Sequence, residues 1–455
     1  MIRRAATTFL ACLASLACSK NKASESEPQP AVSVAPSAAP VASAVPALPS
    51  AQPKPVSELP QTRNVLLITI DSLRADMPWA GYARPIAPNL TKLAERSALY
   101  LNAYSGSSYT AKSVATFLSG RYPSTLYRDG YFFAKYPASN TFIPELLSPK
   151  GIRTLGFHAH LYFGRGKGLE QGFDEWRLVP GITFDPQTDN FVTSDKMTEL
   201  AIKLLSDPKN TEKPFFAWGH YMDPHDQYQK HKESPDFGNK ARDRYDSEVW
   251  YSDYWVGKLL EWAESKPWWK NTVLIVSADH GEAFGEHGMY KHAFEVWEVL
   301  TRVPLLIAGP GIVPRRIEQR RSHIDLAPTI LELMGQPVPA DFHGKSLVPE
   351  LTGAALESHE PILVELTEDS HNPYRRALID GKYKLIDLGR SQYQLYDLSR
   401  DPGELTDLAK EQKDELARMR KLLDDKLATL PLVEPYGGAK LKNGKTARGP
   451  VGPEK

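Results

Sequence analysis

The stretch Asn64-Val-Leu-Leu-Ile-Thr-Ile-Asp71 decides the fold of this 455-residue chain. It is a continuous run of mostly branched apolar residues that ends on a carboxylate. Such a run is typical of a strand that is covered on both faces in a parallel sheet. Two further runs share this design, namely Val273–Ala278 before Asp279-His280-Gly281, and Phe215–Trp218 before His220, Asp223 and His225. Because ligands bind at the carboxyl ends of strands in open α/β sheets, the sequence predicts a site at that edge.

Helical patterns alternate with these strands, as at Pro88 to Ala98 and around Val249 to Trp262. From about Pro361 the pattern changes to short alternating segments, which a final amphipathic helix follows. We therefore predict a catalytic α/β domain over residues 63–355 and a smaller α+β subdomain over residues 356–432. The Gly/Lys-rich residues 433–455 are predicted to be a disordered tail.

The first 18 residues join Arg3 and Arg4 to a short apolar run that ends in small residues, which is typical of a secretory signal. The run ends in Leu16-Ala17-Cys18-Ser19, which resembles the lipobox of bacterial lipoproteins, so Cys18 is the predicted lipidation site. Cleavage near Ala17 followed by release is the alternative. Residues 19–62 form a Pro/Ala/Ser-rich tract that reads as a disordered tether. We expect an exported cell-envelope lipoprotein, at the periplasmic face or the outer membrane, that its N-terminal lipid holds to the membrane.

The balanced overall charge argues against two kinds of electrostatic partner. The 55 Lys and Arg residues equal the 55 Asp and Glu residues, so no overall charge excess attracts nucleic acid or an anionic membrane surface. Any chemistry on an anionic substrate must therefore depend on local positive charges.

Cys12 and Cys18 are the two cysteines of the sequence, and a mature chain that begins at Cys18 has no second thiol with which to form a disulfide.

The carboxylates after the first and second apolar runs suggest a metal site. Asp71 and the pair Asp279-His280 follow buried-strand patterns, so a parallel sheet can bring them to one edge. Two carboxylates and an imidazole suit one divalent cation, zinc or manganese in preference to calcium, which prefers oxygen ligands throughout. Taken singly, each Asp is better interpreted as the N-cap of a helix that follows its strand.

Thr110 lies where a Ser/Thr-rich segment, Ser107 onward, opens an apolar helix that Gly120 closes. This position is at or just before a helix N-terminus, where the helix dipole and free N–H groups favour an anion. A metal ion on the hydroxyl would lower its pKa, so that an alkoxide could form near neutral pH. The plain alternative is that Thr110 or Ser108 is an N-cap.

Taken together, the ordered motifs resemble the sulfatase family of the alkaline phosphatase superfamily. The motifs that carry this resemblance are NVLLITIDSLRADM, SSYTAKSVATFLSGRYPS, HYMDPHDQY and DHGEAFGEHGMYKH, with weaker matches up to about Leu408. The resemblance implies an α/β, alkaline-phosphatase-like sandwich. Its large, mainly parallel central sheet is flanked by helices, and a smaller C-terminal α+β subdomain follows.

The resemblance also implies roles for individual residues. The implied metal shell is Asp71, Thr110, Asp279 and His280, with Thr110 also the nucleophile. His225 matches a histidine that contacts the transferred group or protonates the leaving oxygen, and His292 falls where the family places an anion-binding cation. Further candidates are His158, His160, His220 and His287, of which His160, just before the loop of GLEQGFDEW, is expected to line the substrate side. Any of these histidines could instead have a structural role.

Departures from the family pattern bear on the chemistry. Most sulfatases make formylglycine from Cys or Ser in a Cys/Ser-x-Pro-x-Arg motif, and those three positions read Thr110, Lys112 and Val114 here. Formylglycine cannot form from Thr, and Thr nucleophiles in related enzymes belong to phosphoglycerol and phosphoethanolamine transferases and to phosphodiesterase-like branches. Ser72 replaces the second acid of the family's calcium-binding Asp-Asp pair, which again favours a softer ion. Lys112 is a candidate replacement for the missing positive charge.

The sequence thus predicts a metal-dependent hydrolase of sulfate or phosphate esters and diesters, with Thr110 as nucleophile, His225 as general acid and a leaning toward phosphate. The substrate is a small-molecule or polymer ester, and nucleic acid is not an expected partner. One alternative is a phosphoglycerol- or phosphoethanolamine-type transferase that acts on envelope polymers. Another is a non-catalytic binding lipoprotein, which the loss of the family's Cys, Pro and Arg suggests. The Pro-rich tract alone suggests a cell-wall structural role.

Overall fold

Residues 63–182 and 192–449 are described by the computed structural model, and the predicted signal peptide, Cys18 and the tether lie outside them. Their strands are β1 (Asn64–Ile70), β2 (Ala98–Tyr104), β3 (Arg153–His158), β4 (Glu175–Leu178), β5 (Phe215–Tyr221), β6 (Thr272–Ala278), β7 (Ala283–Phe284), β8 (Tyr290–Lys291), β9 (Arg302–Ala308), β10 (Arg315–Ile317), β11 (Arg321–Ser322), β12 (Ile362–Leu366), β13 (Arg375–Asp380), β14 (Tyr383–Gly389) and β15 (Gln392–Asp397). Their helices are α1 (Pro88–Glu95), α2 (Thr110–Ser119), α3 (Ile143–Leu147), α4 (Ser194–Ser206), α5 (Pro208–Thr211), α6 (Ala241–Glu264), α7 (Glu298–Thr301), α8 (Leu326–Leu333), α9 (Val348–Leu351) and α10 (Lys413–Ala428).

Strand β1 lies in the middle of the larger sheet, whose order in the described part of the chain is β10-β2-β9-β6-β1-β5-β3-β4, with β11 beside β2. Strand β9 runs antiparallel to β2 and β6, and the other pairings in this sheet are parallel. All seven side chains of β1 are buried although they alternate between the two faces. Both faces of the sheet are therefore covered, as the apolar run predicts.

The register of the central strands sets the position of the site. Ile70 pairs with Ala278 of β6 and with Tyr221 of β5, so the residues that follow β1 and β6 emerge side by side. His220 pairs with Thr69 and therefore lies one residue inside the same edge. This placement agrees with the predicted site at the carboxyl ends of the strands.

Helices cover the sheet in two packed groups. Helix α6 packs against α1 and α4, while α2 packs against α3 and α8. Helix α2 has no exposed face, because all ten of its residues are buried, and Gly120 ends it in the left-handed conformation with a φ of 64°. The helix predicted to begin near Thr110 and to close at Gly120 is therefore confirmed.

Residues after about 360 form the smaller antiparallel sheet β12-β13-β14-β15, on which α10 packs. Met419 and Leu423 of α10 join leucines of all four strands in one apolar cluster. The backbone N–H of Glu365 in β12 donates to the carbonyl of Gly106 at 3.0 Å. This bond joins the smaller sheet directly to the loop that leads into α2.

The predicted disordered tail is wrong for residues 433–449. Tyr436 accepts a backbone hydrogen bond from Gly130 at 3.0 Å and donates one to Arg128 at 3.1 Å. Beyond it the chain forms a small hairpin in which Lys440 bridges Thr446. The small residues of this segment pack here because Gly130 has no side chain: a Cβ there would lie 2.7 Å from that of Ala447. We call residues 433–449 the C-terminal strap.

Within residues 63–182 and 192–449, no helix combines the length and the apolar character that a membrane span requires.

Candidate functional site

Asp71 and Asp279 meet at the carboxyl edge of the larger sheet, as predicted. The backbone N–H of Ser72 donates to Asp279 Oδ1 at 3.2 Å, and the Ser72 hydroxyl donates to Asp71 Oδ1 at 3.0 Å. Both carboxylates are fully buried. In the described part of the chain, Asp279 Oδ2 has no hydrogen-bond partner. A buried carboxylate oxygen without a donor is a position that a cation would fill.

Thr110 lies against this pair. Its Oγ1 is 3.0 Å from His280 Nε2, and His280 Nε2 is 3.7 Å from Asp71 Oδ1 and 3.3 Å from Asp279 Oδ2. His280 Nδ1 donates to the Gly281 carbonyl at 3.0 Å, so the neutral ring presents the lone pair of Nε2 to the other three side chains. The four residues predicted as a metal shell therefore converge on one point.

Electrostatics at this point favour a bound cation. Burial alone would raise the pKa of Asp71, but His225, His220 and His280 outweigh burial and hold that pKa well below its usual range. Burial and the Asp71 charge raise the pKa of Asp279, and burial lowers the pKa of His280. Two buried carboxylates repel each other, and a neutral imidazole with a free lone pair stands beside them. Because these donors suit a divalent ion, the residues fit the metal that the sequence predicts.

His220 lies beside the same carboxylates, and donor atoms of Asp71, His220 and Asp279 all fall within 4.8 Å of one another. The hydrogen bonds of His220 indicate a role other than metal binding. Thr69 Oγ1 accepts from the indole N–H of Trp218 at 2.9 Å and lies 2.8 Å from His220 Nδ1, while His220 Nε2 is 3.1 Å from Asp71 Oδ2. The tautomer that satisfies every group has Nδ1 accepting from Thr69 and Nε2 donating to Asp71. His220 therefore orients Asp71, and His280 keeps the free lone pair.

His292 stands next to His280, with the two ring centroids 4.2 Å apart. Its Nδ1 is 3.2 Å from Glu282 Oε1. Burial disfavours the charged ring, but the Glu282 carboxylate outweighs burial and raises the pKa of His292 to about 9. His292 is therefore a cation at neutral pH, which agrees with the anion-binding position that the resemblance implies.

His225 completes this side of the site. Its ring lies 5.1 Å from that of His292 and 6.0 Å from that of His160. Its Nδ1 donates to the Asp226 carbonyl at 3.1 Å. Asp223, which accepts from the N–H groups of Thr193 and Ser194 at the start of α4, holds this loop in place. His160, one of the weaker candidates, thus belongs to the site.

Three predicted residues do not belong with these groups. Lys112 is buried, and its Nζ lies 2.5 Å from Asp369 Oδ2 and 2.7 Å from the Thr367 carbonyl. The prediction that Lys112 replaces the missing arginine charge is wrong, because its ammonium is neutralised by this pair. The ring of His158 packs on Trp176, and the ring of His287 stacks on Trp297 at 3.8 Å. These two histidines are packing residues.

Two contributors were missed in the sequence. Glu282 sets the charge of His292, and Ser72, which we read as a lost calcium ligand, donates hydrogen bonds to both carboxylates. The position of Glu282 directly after the Asp279-His280-Gly281 motif was the available signal. Asp369, the partner of Lys112, lies 257 residues away from it, and no local pattern pointed to it.

Comparison with known proteins indicates the family to which this arrangement of residues belongs. The sequence matches the family model described as Sulfatase over residues 63–336, and the model described as N-sulphoglucosamine sulphohydrolase, C-terminal, over residues 285–431. It is 26% identical over 408 residues to the choline-sulfatase of Rhizobium meliloti, which covers 71% of this chain and 78% of that protein. It is 26% identical over 382 residues to a Δ4,5-hexuronate-2-O-sulfatase of Bacteroides thetaiotaomicron, which covers 70% of this chain and 77% of that one.

Solved structures share the fold. A crystal structure described as a putative sulfatase from Bacteroides thetaiotaomicron superimposes with a TM-score of 0.69 at 23% identity, covering 81% of this chain and 92% of that one. The phosphonate monoester hydrolase of Agrobacterium radiobacter gives a TM-score of 0.65 at 19% identity, covering 85% of this chain and 100% of that one. With its alkaline-phosphatase-like fold, the chain belongs to the sulfatase family of ester hydrolases.

Proposed function

We propose that this protein hydrolyses sulfate or phosphate esters, diesters included, with the Thr110 hydroxyl as the nucleophile. The convergence of Thr110 Oγ1 on His280 Nε2, at 3.0 Å and beside two buried carboxylates, carries this proposal. Thr110 is also the first residue of α2, and no side chain caps that helix. The free N–H groups of the first turn are therefore available to an anion.

Asp71, Asp279, His280 and Thr110 would hold one divalent cation, zinc or manganese in preference to calcium. When bound, such an ion lowers the pKa of a nearby hydroxyl and withdraws charge from the oxygens of the ester. The imidazole of His280, and Ser72 in place of a second acid, favour the softer ions. His220 would keep the Asp71 carboxylate oriented through its Nε2–H.

The remaining residues have distinct tasks in the reaction. Thr110, after its proton has gone to solvent, attacks sulfur or phosphorus, and the bond to the leaving oxygen breaks with its electron pair. Protonated His225 gives its proton to that oxygen, so the product leaves as an alcohol. Neutral His225 then takes a proton from a water that attacks the same sulfur or phosphorus. The bond to Thr110 Oγ1 breaks with its electron pair on that oxygen, and sulfate or phosphate, or its remaining ester, is released. His292 and the N–H groups of α2 stabilise the negative charge on the non-bridging oxygens throughout.

The nature of the nucleophile supports phosphate as the preferred centre and keeps a transferase as the second candidate. A threonine cannot become formylglycine, so its ester must be cleared by water or by an acceptor alcohol. Water gives a hydrolase, and an alcohol gives a phosphoglycerol- or phosphoethanolamine-type transferase. The buried carboxylates and histidines around Thr110 are all retained. Their retention argues against a lipoprotein that binds a ligand without catalysis.

Trapping the intermediate tests the proposal. The purified enzyme is quenched in acid during turnover of 4-nitrophenyl sulfate, 4-nitrophenyl phosphate and bis(4-nitrophenyl) phosphate, and its peptides are then analysed by mass spectrometry. We expect a sulfo or phospho adduct on Thr110, with the larger yield from a phosphate substrate. Addition of glycerol or ethanolamine should leave the product mixture of a hydrolase unchanged. A transferase would instead form a new ester of the added alcohol, a monoester from either mono-aryl substrate and a diester from bis(4-nitrophenyl) phosphate. An adduct on another residue, or turnover of none of the three esters, would contradict the proposal.

We further propose that Cys18 carries a lipid that holds the protein at the cell envelope. The lipobox-like Leu16-Ala17-Cys18-Ser19 and the Pro/Ala/Ser-rich tract behind it support this proposal, because a long spacer suits a folded part that stands away from a membrane. Expressed in a bacterial host, the full chain should incorporate labelled palmitate and fractionate with membranes, and Cys18→Ala should abolish both. Equal labelling of the variant would exclude Cys18.

A further inference from the structure

A continuous series of aromatic and histidine rings begins and ends at residues that adjoin Thr110. In order, the rings are those of Tyr109, Phe132, Phe133, Tyr162, His160, His225, His292 and His280, and successive centroids lie 4.4, 5.1, 5.3, 6.0, 6.0, 5.1 and 4.2 Å apart. Tyr109 precedes Thr110 in the chain, and His280 Nε2 lies 3.0 Å from Thr110 Oγ1. We call Tyr109, Phe132, Phe133 and Tyr162 the aromatic rim. The four histidines form the other half of the series.

The two halves differ in chemistry. The histidine half carries charge and protons, which the reacting group needs. The aromatic rim is carbon-rich, and the proposed reaction uses none of its residues. Phe133 is 41% exposed, whereas Tyr109 and Tyr162 on either side of the rim are 5% and 7% exposed. The rings of Phe132 and Tyr162 connect this large exposed phenyl group to the series that reaches the catalytic residues, and its exposed part is an apolar face that a ligand can cover.

Positive charge near the aromatic rim disfavours a cationic ligand. The Lys112 ammonium lies 5.5 Å from the ring centroid of Tyr109, and the Lys167 ammonium lies 5.4 Å from that of Tyr162. Both distances are those of cation–π contacts, so a lysine ammonium already lies over one face of each tyrosine ring. The Lys112 charge is neutralised by Asp369, but a quaternary ammonium beside Tyr162 would meet the positive charge of Lys167. A neutral or anionic group with a flat carbon face meets no such repulsion.

The loop that carries the rim is anchored in place. Phe132 donates its backbone N–H to Ser370 Oγ at 3.1 Å, and Ser370 donates its own to the Gly130 carbonyl at 3.0 Å. Gly130 in turn donates to Tyr436 of the C-terminal strap at 3.0 Å. The ring of His371 packs on Phe132 at 5.1 Å. Because the loop is fixed from two sides, the Phe133 ring is already in position when a ligand arrives, which reduces the entropy lost on binding.

We propose that Phe133 determines leaving-group specificity by stacking on a flat, ring-shaped alcohol, as in a phenol or a pyranose, so that esters of such alcohols are preferred to those of acyclic or cationic alcohols. This inference rests on the proposed function, because it concerns the alcohol half of the same ester. It adds a substrate class that the catalytic residues themselves do not select.

The test compares substrates that share one esterified group but differ in the alcohol, namely 4-nitrophenol, a pyranose, glycerol and choline. For Phe133→Ala we expect kcat/KM to fall about threefold to tenfold for the esters of 4-nitrophenol and the pyranose, as for loss of one aromatic contact, and to change less than about twofold for the other two. Phe133→Tyr, which keeps the ring, should restore the preference. A fall for only one of the two ring alcohols would still support stacking and would identify which ring the rim accepts.

Tyr131→Ala is the matched control, because Tyr131 is an aromatic residue of the same loop, 52% exposed, and is not a member of the rim. It should leave all four rates unchanged. The inference is overturned if Phe133→Ala lowers the four rates equally or leaves all of them unaltered, or if Tyr131→Ala shows the same selectivity. If the unaltered enzyme cleaves none of the esters, the proposed function itself fails.

Discussion

The Thr110→Ala variant is expected to lose at least about 10³-fold in kcat for the best ester substrate, because the attacking atom is gone and only the surrounding charge remains. Thr110→Ser keeps a hydroxyl at the start of α2 and should retain much of the activity. Metal content, measured by elemental analysis of the dialysed protein, should persist in Thr110→Ala, because Asp71, Asp279 and His280 are still present. The measurement is steady-state turnover of an aryl ester.

Thr116→Ala is the matched control for a buried threonine in the same helix, since the Thr116 hydroxyl donates to the Lys112 carbonyl at 2.8 Å and not to the site. Its turnover should stay within a few-fold of the unaltered enzyme. Should Thr110→Ala keep more than about a tenth of the activity, another group must be the nucleophile.

Removal of the metal is expected to have an equally large effect. Dialysis against a strong chelator should abolish turnover, and zinc or manganese should restore it better than calcium does. The melting temperature should fall as well, because an ion present at 100 times its dissociation constant stabilises the folded state by about 2.7 kcal/mol. Full activity after the metal content has dropped to background would refute the metal dependence.

Asp279→Asn separates the role of the metal from that of the fold. The variant should bind no metal and be inactive, yet its metal-free form should melt no lower than the metal-free unaltered protein, because it removes a buried charge that faces Asp71 without a hydrogen bond on Oδ2. Asp253→Asn, at a buried carboxylate that accepts from the N–H groups of Asn89 and Leu90, should retain the metal. If Asp279→Asn binds metal as tightly as the unaltered protein, Asp279 is not a ligand.

Much of this site follows from local sequence. The run before Asp71 and the run before Asp279 are mostly apolar, and that pattern is typical of strands covered on both faces. A parallel arrangement of the two strands is enough to predict that the two carboxylates lie at one edge, and the pairing of Ile70 with Ala278 in the structure sets them side by side. The start of α2 at Thr110 is equally local, since the Ser/Thr-rich approach and Gly120 mark both ends of the helix.

What could not be predicted depends on contacts between distant segments. Lys112 has the charge that the missing arginine would supply, and only the three-dimensional structure shows that Asp369 binds it instead. The role of His220 depends on Thr69 and Trp218, which hold the ring in one tautomer. The strap has a composition that suggests disorder, and it is ordered because one glycine in a distant loop leaves room for its alanines.

The direction of β1 has a consequence for how substrates reach the enzyme. The strand enters the sheet at Asn64 and delivers Asp71 at its other end, about 23 Å away for seven residues of extended chain. Arg63, which precedes the strand, therefore lies at the edge of the sheet opposite the site. A ligand that approaches Asp71 and Asp279 at the carboxyl edge does not meet the end at which the chain enters the sheet.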